Sequence, residues 1–147
     1  MKKRILFLCT GNSCRSQMAE GFTRSIWPMR FDAYSAGIEP HSLSASAVEV
    51  MAEAGVDIST HRSKHIDELK AISFDYVITV CDHAHEHCPM LPQKTKVIHI
   101  GFDDPPRLAE QAKTPEEALD CYRRVRDEIR AFVETLPEKL TSNDTVA

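Results

Sequence analysis

The chain has 147 residues, with 18 Lys and Arg set against 22 Asp and Glu, and a formal net charge of −4. That length suits one domain with a substantial core. Charge is mixed along the chain and no Lys/Arg-rich block occurs, which excludes the usual footprint of a nucleic-acid partner.

The opening M-K-K-R-I-L-F-L-C superficially mimics a secretion signal. Its apolar run, Ile5 to Cys9, gives way at once to Gly11, Asn12 and Arg15. It is too short for a signal core or a membrane span, so Arg4–Cys9 reads as a buried first strand and no membrane partner is expected. From Ser13 to Trp27, Cys14, Met18, Phe22 and Ile26 recur every four residues, the stripe of an amphipathic helix, with Pro28 at its end. Phe31–Ser35 is a second strand closed by Ala36-Gly37, and Ser44–Ala54 a helix with Gly55 at C′. Ile66–Ile72 carries a weaker helical pattern. Tyr76–Cys81 and Lys96–Phe102 read as strands, and D-H-A-H-E-H between Cys81 and Cys88 is compatible with a helix. Thr114–Leu140 is a long helix opened by Thr114 as N-cap and Pro115 at N1, with a fresh start around Pro137. Residues 1–140 thus form one domain, and Thr141–Ala147 is a small, polar, frayed tail. Strands alternating with helices imply βαβ units, hence a three-layer α/β sandwich with about four parallel strands.

Ligands of open parallel sheets sit beyond the carboxyl ends of the strands. Cys9 ends the first strand, Cys81 the third, and Asp103-Asp104 follows the fourth, so all belong on one edge. If the first and third strands are neighbours, about 4.8 Å apart, Cys9 and Cys81 fall near disulfide range. The loop C-T-G-N-S-C-R-S runs from a strand into a helix N-terminus. Gly11 and Asn12 tolerate left-handed backbone, which turns successive N–H groups inward, and the helix dipole adds partial positive charge. Arg15 adds a planar fork for two oxygens of a tetrahedral oxyanion. The same field favours the thiolate of Cys9. The bland alternative is a buried cysteine and a surface arginine on an ordinary βα turn; the strand before, the helix after and the Gly-Asn-Ser interior weigh against it.

I-L-F-L-C-T-G-N-S-C-R-S-Q-M-A-E-G resembles the thioredoxin-coupled arsenate reductases, which share a fold with low-molecular-weight protein tyrosine phosphatases. The likeness continues through Y-S-A-G-I-E (Tyr34–Glu39), V-D-I-S (Val56–Ser59), V-C-D-H-A-H-E-H-C-P (Val80–Pro89) and G-F-D-D-P (Gly101–Pro105). The resemblance implies a sheet order of 2-1-3-4, which makes the first and third strands neighbours. It implies Cys9 as nucleophile, Arg15 as oxyanion clamp, Ser16 as hydroxyl donor to the thiolate and Asp104 as general acid. The oxyanion cradle it implies is Thr10, Gly11, Asn12, Ser13, Cys14, Arg15 and Ser16. Cys81 and Cys88 match the pair that removes oxidising equivalents. The implied activity is reduction of arsenate to arsenite, with Cys9, Cys81 and Cys88 passing a disulfide along. Electrons come from reduced thioredoxin, with no bound cofactor, in a cytoplasmic monomer serving arsenic detoxification. Seven positions separate Cys81 from Cys88, and two helical turns rise about 10.5 Å, beyond disulfide reach of about 7 Å. The segment Asp82–Leu91 is therefore expected to unwind on oxidation.

An odd cysteine count and the absence of a recognisable leader argue against a secreted disulfide framework. Cys14 is expected to pack on its helix, the alternative being protective pairing with Cys9; Cys121 is a structural thiol, and Asp103 shapes its turn. His83, His85 and His87 with the two flanking cysteines offer zinc-type ligands, but on a helix His83 and His87 share one face and His85 another. A solvated polar loop is the expected reading, with no metal. Asn12, Glu20 and Ser35 match a potassium site of some relatives, whose fourth ligand is an Asp. Lys64 stands there in this chain, and its ammonium is expected to pair with Glu20 in place of the ion. The rival activity is tyrosine phosphatase. Phosphatases of this fold carry an aromatic pair after Asp-Pro, where this chain has Pro106-Arg107.

Overall fold

A computed structural model describes the backbone of residues 2–145 and the side chains of residues 2–141. Its frame is a parallel sheet of β1 (Lys3–Cys9), β2 (Phe31–Gly37), β3 (Tyr76–Thr79) and β4 (Lys96–His99), in the order β2-β1-β3-β4. Leu8 pairs with Ala36 on one side and Thr79 on the other, and Thr79 pairs with His99. Ile5, Leu6, Phe7 and Leu8 are all fully buried. Consecutive strand residues point to opposite faces, so both faces of β1 are covered. That is the three-layer α/β arrangement and the 2-1-3-4 order expected.

Helix α1 (Arg15–Ile26) buries Met18, Ala19 and Phe22, and α2 (Ala45–Glu53) starts at Ser44, whose hydroxyl accepts from the Ala47 N–H at 3.1 Å. Gly55 follows α2 with φ +82°, the left-handed stop expected of a C′ glycine. Ser13 and Cys14, expected inside the first helix, instead lengthen the loop before α1. The weak pattern at Ile66–Ile72 yields only a 3-10 turn, Ile66–Leu69, capped by the His65 side chain and Glu68.

Regular strand pairing ends at Thr79 and His99, short of the expected Cys81 and Phe102. Hydrogen bonds nevertheless carry the chain onward in step: Val80 N–H to Leu8 O (2.9 Å), Ile100 N–H to Thr79 O (2.9 Å), Phe102 N–H to Val80 O (3.0 Å). After β3 comes α3 (Asp82–Glu86), and after β4 an unforeseen short helix, α4 (Pro105–Ala109).

The expected long helix is two, α5 (Pro115–Glu134) and α6 (Leu136–Thr145). Pro137 has no N–H to donate to the Val133 carbonyl, and the Trp27 indole N–H takes that acceptor at 2.7 Å. Helix therefore extends through Thr145 into the expected tail, whose last two positions, 146 and 147, lie outside the described residues. Among the described residues no helix is long and apolar enough to cross a membrane.

Candidate active site

Every carbonyl of the loop from Cys9 to Ser13 is held from behind. Ile38 N–H donates to Cys9 O (3.2 Å), Glu39 N–H to Thr10 O (2.9 Å), His41 N–H to Gly11 O (2.8 Å) and Ser44 N–H to Ser13 O (2.9 Å). Asn12 O accepts from the Ser63 hydroxyl (2.6 Å) and Gln17 Nε2 (3.1 Å). In a trans peptide plane the following N–H points opposite to the carbonyl. A strap that fixes the carbonyls outward therefore turns the N–H groups inward at the start of α1, an arrangement suited to an anion. Asn12 completes the curl at φ 49°, a left-handed angle that asparagine tolerates. Gly37, on the next strand, lets the loop approach: a Cβ there would stand 2.6 Å from Thr10 O and 3.0 Å from Asn12 N.

Beneath the loop, Cys9 is 3% exposed. The Ser16 hydroxyl donates to Cys9 Sγ at 3.2 Å and accepts from Asn12 Nδ2 at 2.8 Å. Asn12 Oδ1 accepts from Lys64 N–H (3.0 Å) and Gln17 Nε2 (3.1 Å). Gln17 Oε1 meets His61 Nδ1 at 3.0 Å. Asn12, Ser16 and Gln17 are fully buried, so each of these bonds is strengthened by the dry surroundings and costly to break. The sulfur thus faces a fixed hydroxyl donor.

At the loop's rim, Arg15 donates from Nη1 to Phe102 O (3.0 Å) and brings Nη2 within 3.6 Å of Asp104 Oδ1. Asp103, on the same cleft, accepts instead from Arg124 Nη2 at 2.6 Å. Of the two adjacent carboxylates, Asp104 is the one beside the arginine fork. An open cleft of about 1290 Å³ is lined by Thr10, Arg15, Cys81, His83, Asp103 and Asp104 among others.

Cys81 stands at that cleft, at the start of α3, and is buried. Its sulfur accepts from Ala84 N–H at 3.4 Å and lies 3.2 Å from the Thr10 hydroxyl. Cys9 and Cys81 therefore share one sheet edge, a residue beyond the paired positions Leu8 and Thr79 in one strand and two in the other. Cys88 is half-buried just past the end of α3, where burial pushes its thiol up from the ordinary value. All five cysteines are free thiols. Cys14 packs in the core, its thiol pushed far up by burial and then by the neighbouring Cys9. Cys121, on α5, donates to Glu117 O at 3.4 Å and belongs to the cleft wall.

The chain matches the low molecular weight phosphotyrosine protein phosphatase family over residues 4–146. It belongs to that family. Relatives named arsenate reductase share 49% identity in Bacillus licheniformis (91% of this chain, 97% of that one) and 47% in Halalkalibacterium halodurans (93% and 96%). A solved structure described as an arsenate reductase in the oxidised state superposes with a TM-score of 0.77 at 30% identity, covering 93% of this chain and 98% of that one.

The side chains matched to a potassium site of some relatives already have partners here. Glu20 accepts from the Ser35 hydroxyl at 2.6 Å and pairs with Arg24 at 3.3 Å, while His61 approaches to 3.6 Å. Burial pushes His61 down against the pull of Glu20, so Arg24 is the charge partner. The expected Lys64–Glu20 contact is corrected: the Lys64 ammonium donates to the Arg62 carbonyl at 3.0 Å. Burial also pushes Lys64 down, opposed by the attraction of Glu20 nearby. With Asn12 Oδ1 already accepting two N–H groups and Glu20 already facing a guanidinium, these oxygens do not fit a potassium ion.

The histidines split as their helix spacing required. His83 and His87 stack with ring centroids 4.2 Å apart, whereas His85 stacks on His99 at 4.4 Å. His99 in turn contacts Asp82 (3.0 Å) and the Thr79 hydroxyl (2.9 Å). His85 and His87 are exposed, as a solvated segment requires, but the segment is helical and its rings are stacked, which corrects the expected loop. Among the described residues no group of three or more His, Cys, Asp or Glu is placed to hold a metal.

Several members of the site carry no sequence signal. The strap from Ile38 to Ser44 works through backbone N–H groups, which any residue but proline supplies. Gln17 anchors Asn12 through a long-range contact with His61. Tyr122, on α5, is buried, and that burial pushes its phenol up.

Proposed function

We propose that this chain reduces arsenate to arsenite. The observation that carries the reading is the second thiol: Cys81 touches the oxyanion loop through Thr10 at 3.2 Å, and hydrolysis has no use for it. The inward N–H groups and Arg15 bind the tetrahedral anion. The Cys9 thiolate forms a bond to arsenic as one oxygen departs, protonated by Asp104. The Cys81 thiolate then attacks Cys9 Sγ. The sulfur–arsenic bond breaks with its electron pair on arsenic, so As(V) becomes As(III) and a Cys9–Cys81 disulfide forms. Cys88 attacks Cys81 Sγ, which frees the Cys9 thiolate and leaves a Cys81–Cys88 disulfide.

An internal disulfide suits a dithiol reductant, and reduced thioredoxin is the proposed electron source, with no bound cofactor. Such thiol chemistry requires a reducing compartment, the cytoplasm, and all its groups come from a single chain. The shared cradle also supports weak hydrolysis of aryl phosphates. Arsenate-dependent NADPH oxidation with thioredoxin and its reductase tests the proposal. Wild type turns over; Cys81→Ser and Cys88→Ser lose multiple turnover while keeping aryl phosphate hydrolysis. No arsenate turnover by wild type, with aryl phosphate hydrolysis intact, would leave an anion-binding phosphatase as the account, and full turnover without either thiol would move the electron route away from Cys81 and Cys88.

A further inference from the structure

We propose that Arg124 is a positioning residue for the acid loop: by holding Asp103 it assigns the adjacent Asp104 to Arg15 and the cleft. The inference rests on the reading of Asp104 as the proton donor.

Two neighbouring carboxylates face two guanidiniums here. Arg124 Nη2 lies 2.6 Å from Asp103 Oδ2, and Arg15 Nη2 lies 3.6 Å from Asp104 Oδ1. Asp104 sits in irregular chain between β4 and α4, where a conformation must be imposed by contacts. On the sheet side, Phe102 N–H is bonded to Val80 O. On the helix side, Asp104 O accepts from Leu108 N–H at 3.0 Å, and Pro105 is buried. The Asp103–Arg124 bridge joins the loop to α5, the longest helix of the chain. Glu128, one turn further on, approaches Arg124 Nε at 3.6 Å and steadies the guanidinium.

Arg124 and Asp103 are both exposed, so their bridge contributes little to stability. Its consequence is geometric. Without the bridge, the loop loses its tie to α5 and the acid is left in several orientations. Misplacing a reacting group by about 1 Å is enough to cost one to two orders of magnitude in rate.

The test is single-turnover arsenite formation by fully reduced enzyme, quenched rapidly so that thioredoxin recycling does not contribute. Asp104→Asn is expected to slow it by about 100-fold or more, the lower range for a lost general acid. Arg124→Ala and Asp103→Ala are each expected to slow it about 5–10-fold, with Arg124→Lys within about twofold of wild type. Asp104→Asn with Arg124→Ala should be no slower than Asp104→Asn alone, because positioning is worthless without the acid. The melting temperature of Arg124→Ala should stay within about 2 °C of wild type. If Asp104→Asn is impaired while Arg124→Ala is not, or if the two losses multiply, this proposal is overturned and the acid reading survives. If Asp104→Asn reacts at the wild-type rate, the acid reading fails and takes this one with it.

Discussion

The Thr10 hydroxyl lies 3.2 Å from the Cys81 sulfur, linking the oxyanion loop of β1 to the thiol beyond β3. A hydroxyl at that position can donate to a thiolate before it attacks and orient it toward Cys9. Thr10→Val keeps the shape and removes the donor. Arsenite release in a single turnover should fall about 5–10-fold, the equivalent of one hydrogen bond of about 1–1.5 kcal/mol. Hydrolysis of an aryl phosphate, which of the three thiols needs only Cys9, should stay within about twofold. Equal losses in both assays would show that Thr10 serves the cradle as a whole.

Gly37 is a second place where the loop tolerates no change. A methyl group there would meet Thr10 O at 2.6 Å and Asn12 N at 3.0 Å, both backbone atoms that no side-chain rotation can clear. Gly37→Ala should destabilise the fold by about 1–3 kcal/mol, the ordinary range for overpacking. It should also abolish oxyanion binding, seen as loss of protection by inorganic phosphate against thiol alkylation. Intact phosphate protection in a stable Gly37→Ala protein would contradict this account of the close approach.

These two contacts mark where sequence reading stops. The loop itself was legible, because cysteine, glycine, asparagine and arginine at fixed spacing between a strand and a helix have few other uses. The sheet was legible as well: β1 and β3 are apolar runs, and four-residue spacing identified α1. What escaped were groups whose contribution is set by distant partners. Gln17 looks like one more polar helix residue until His61 and Asn12 close around it. The strap Ile38–Ser44 acts through its backbone, so its side chains carry no record of the task. Arg24 was passed over because a charge on a helix is ordinarily solvent-facing, whereas here it meets the buried Glu20. The break between α5 and α6 was visible in Pro137, but its compensation by Trp27, more than a hundred positions earlier, was not.

Glu53 offers a test of the joint between α2 and α5. It accepts from Arg123 at 2.8 and 2.9 Å and from Arg126 at 3.0 Å. Hydrogen bonding to Arg123, followed by the charges of both arginines, lowers its carboxyl from 4.5 to about 2. A carboxyl lowered in the folded state adds stability above its unfolded value and loses it as pH falls through the folded one. Glu53→Gln should therefore melt below wild type at pH 7, and the gap should close between pH 4.5 and about 2. A gap unchanged across that window would mean that the contacts act through packing alone.

Potassium should be nearly without effect. Arg24 already supplies a positive charge to Glu20, and the Asn12 carbonyl oxygen already accepts two N–H groups. Exchanging sodium for potassium at constant ionic strength should leave kcat and KM for arsenate within about twofold, since no uncompensated charge is left for the ion to meet. A severalfold rise confined to potassium would require Arg24 to swing away and the oxygens to reassemble around the ion.

The step from Cys81 to Cys88 demands movement of α3. Cys81 caps its N-terminus through Ala84 N–H, and Cys88 follows the His87 C-cap. Chain in helical form separates the two by about 10 Å at 1.5 Å per residue, whereas a disulfide joins Cα atoms no more than about 7 Å apart. Five helical residues hold few internal bonds, so unwinding them is inexpensive. Opposing it are His85 stacked on His99, and His99 bridging Thr79 and Asp82. Oxidised protein should therefore show faster amide exchange across residues 82–91 than reduced protein, with β1 and α5 unchanged. The Cys88 thiol is pushed up by burial, so the rate of disulfide transfer should keep rising with pH beyond the ordinary thiol value before levelling. Identical exchange in the two redox states would rule out the unwinding, and a rate already level below that pH would show that Cys88 reacts from a more solvated position.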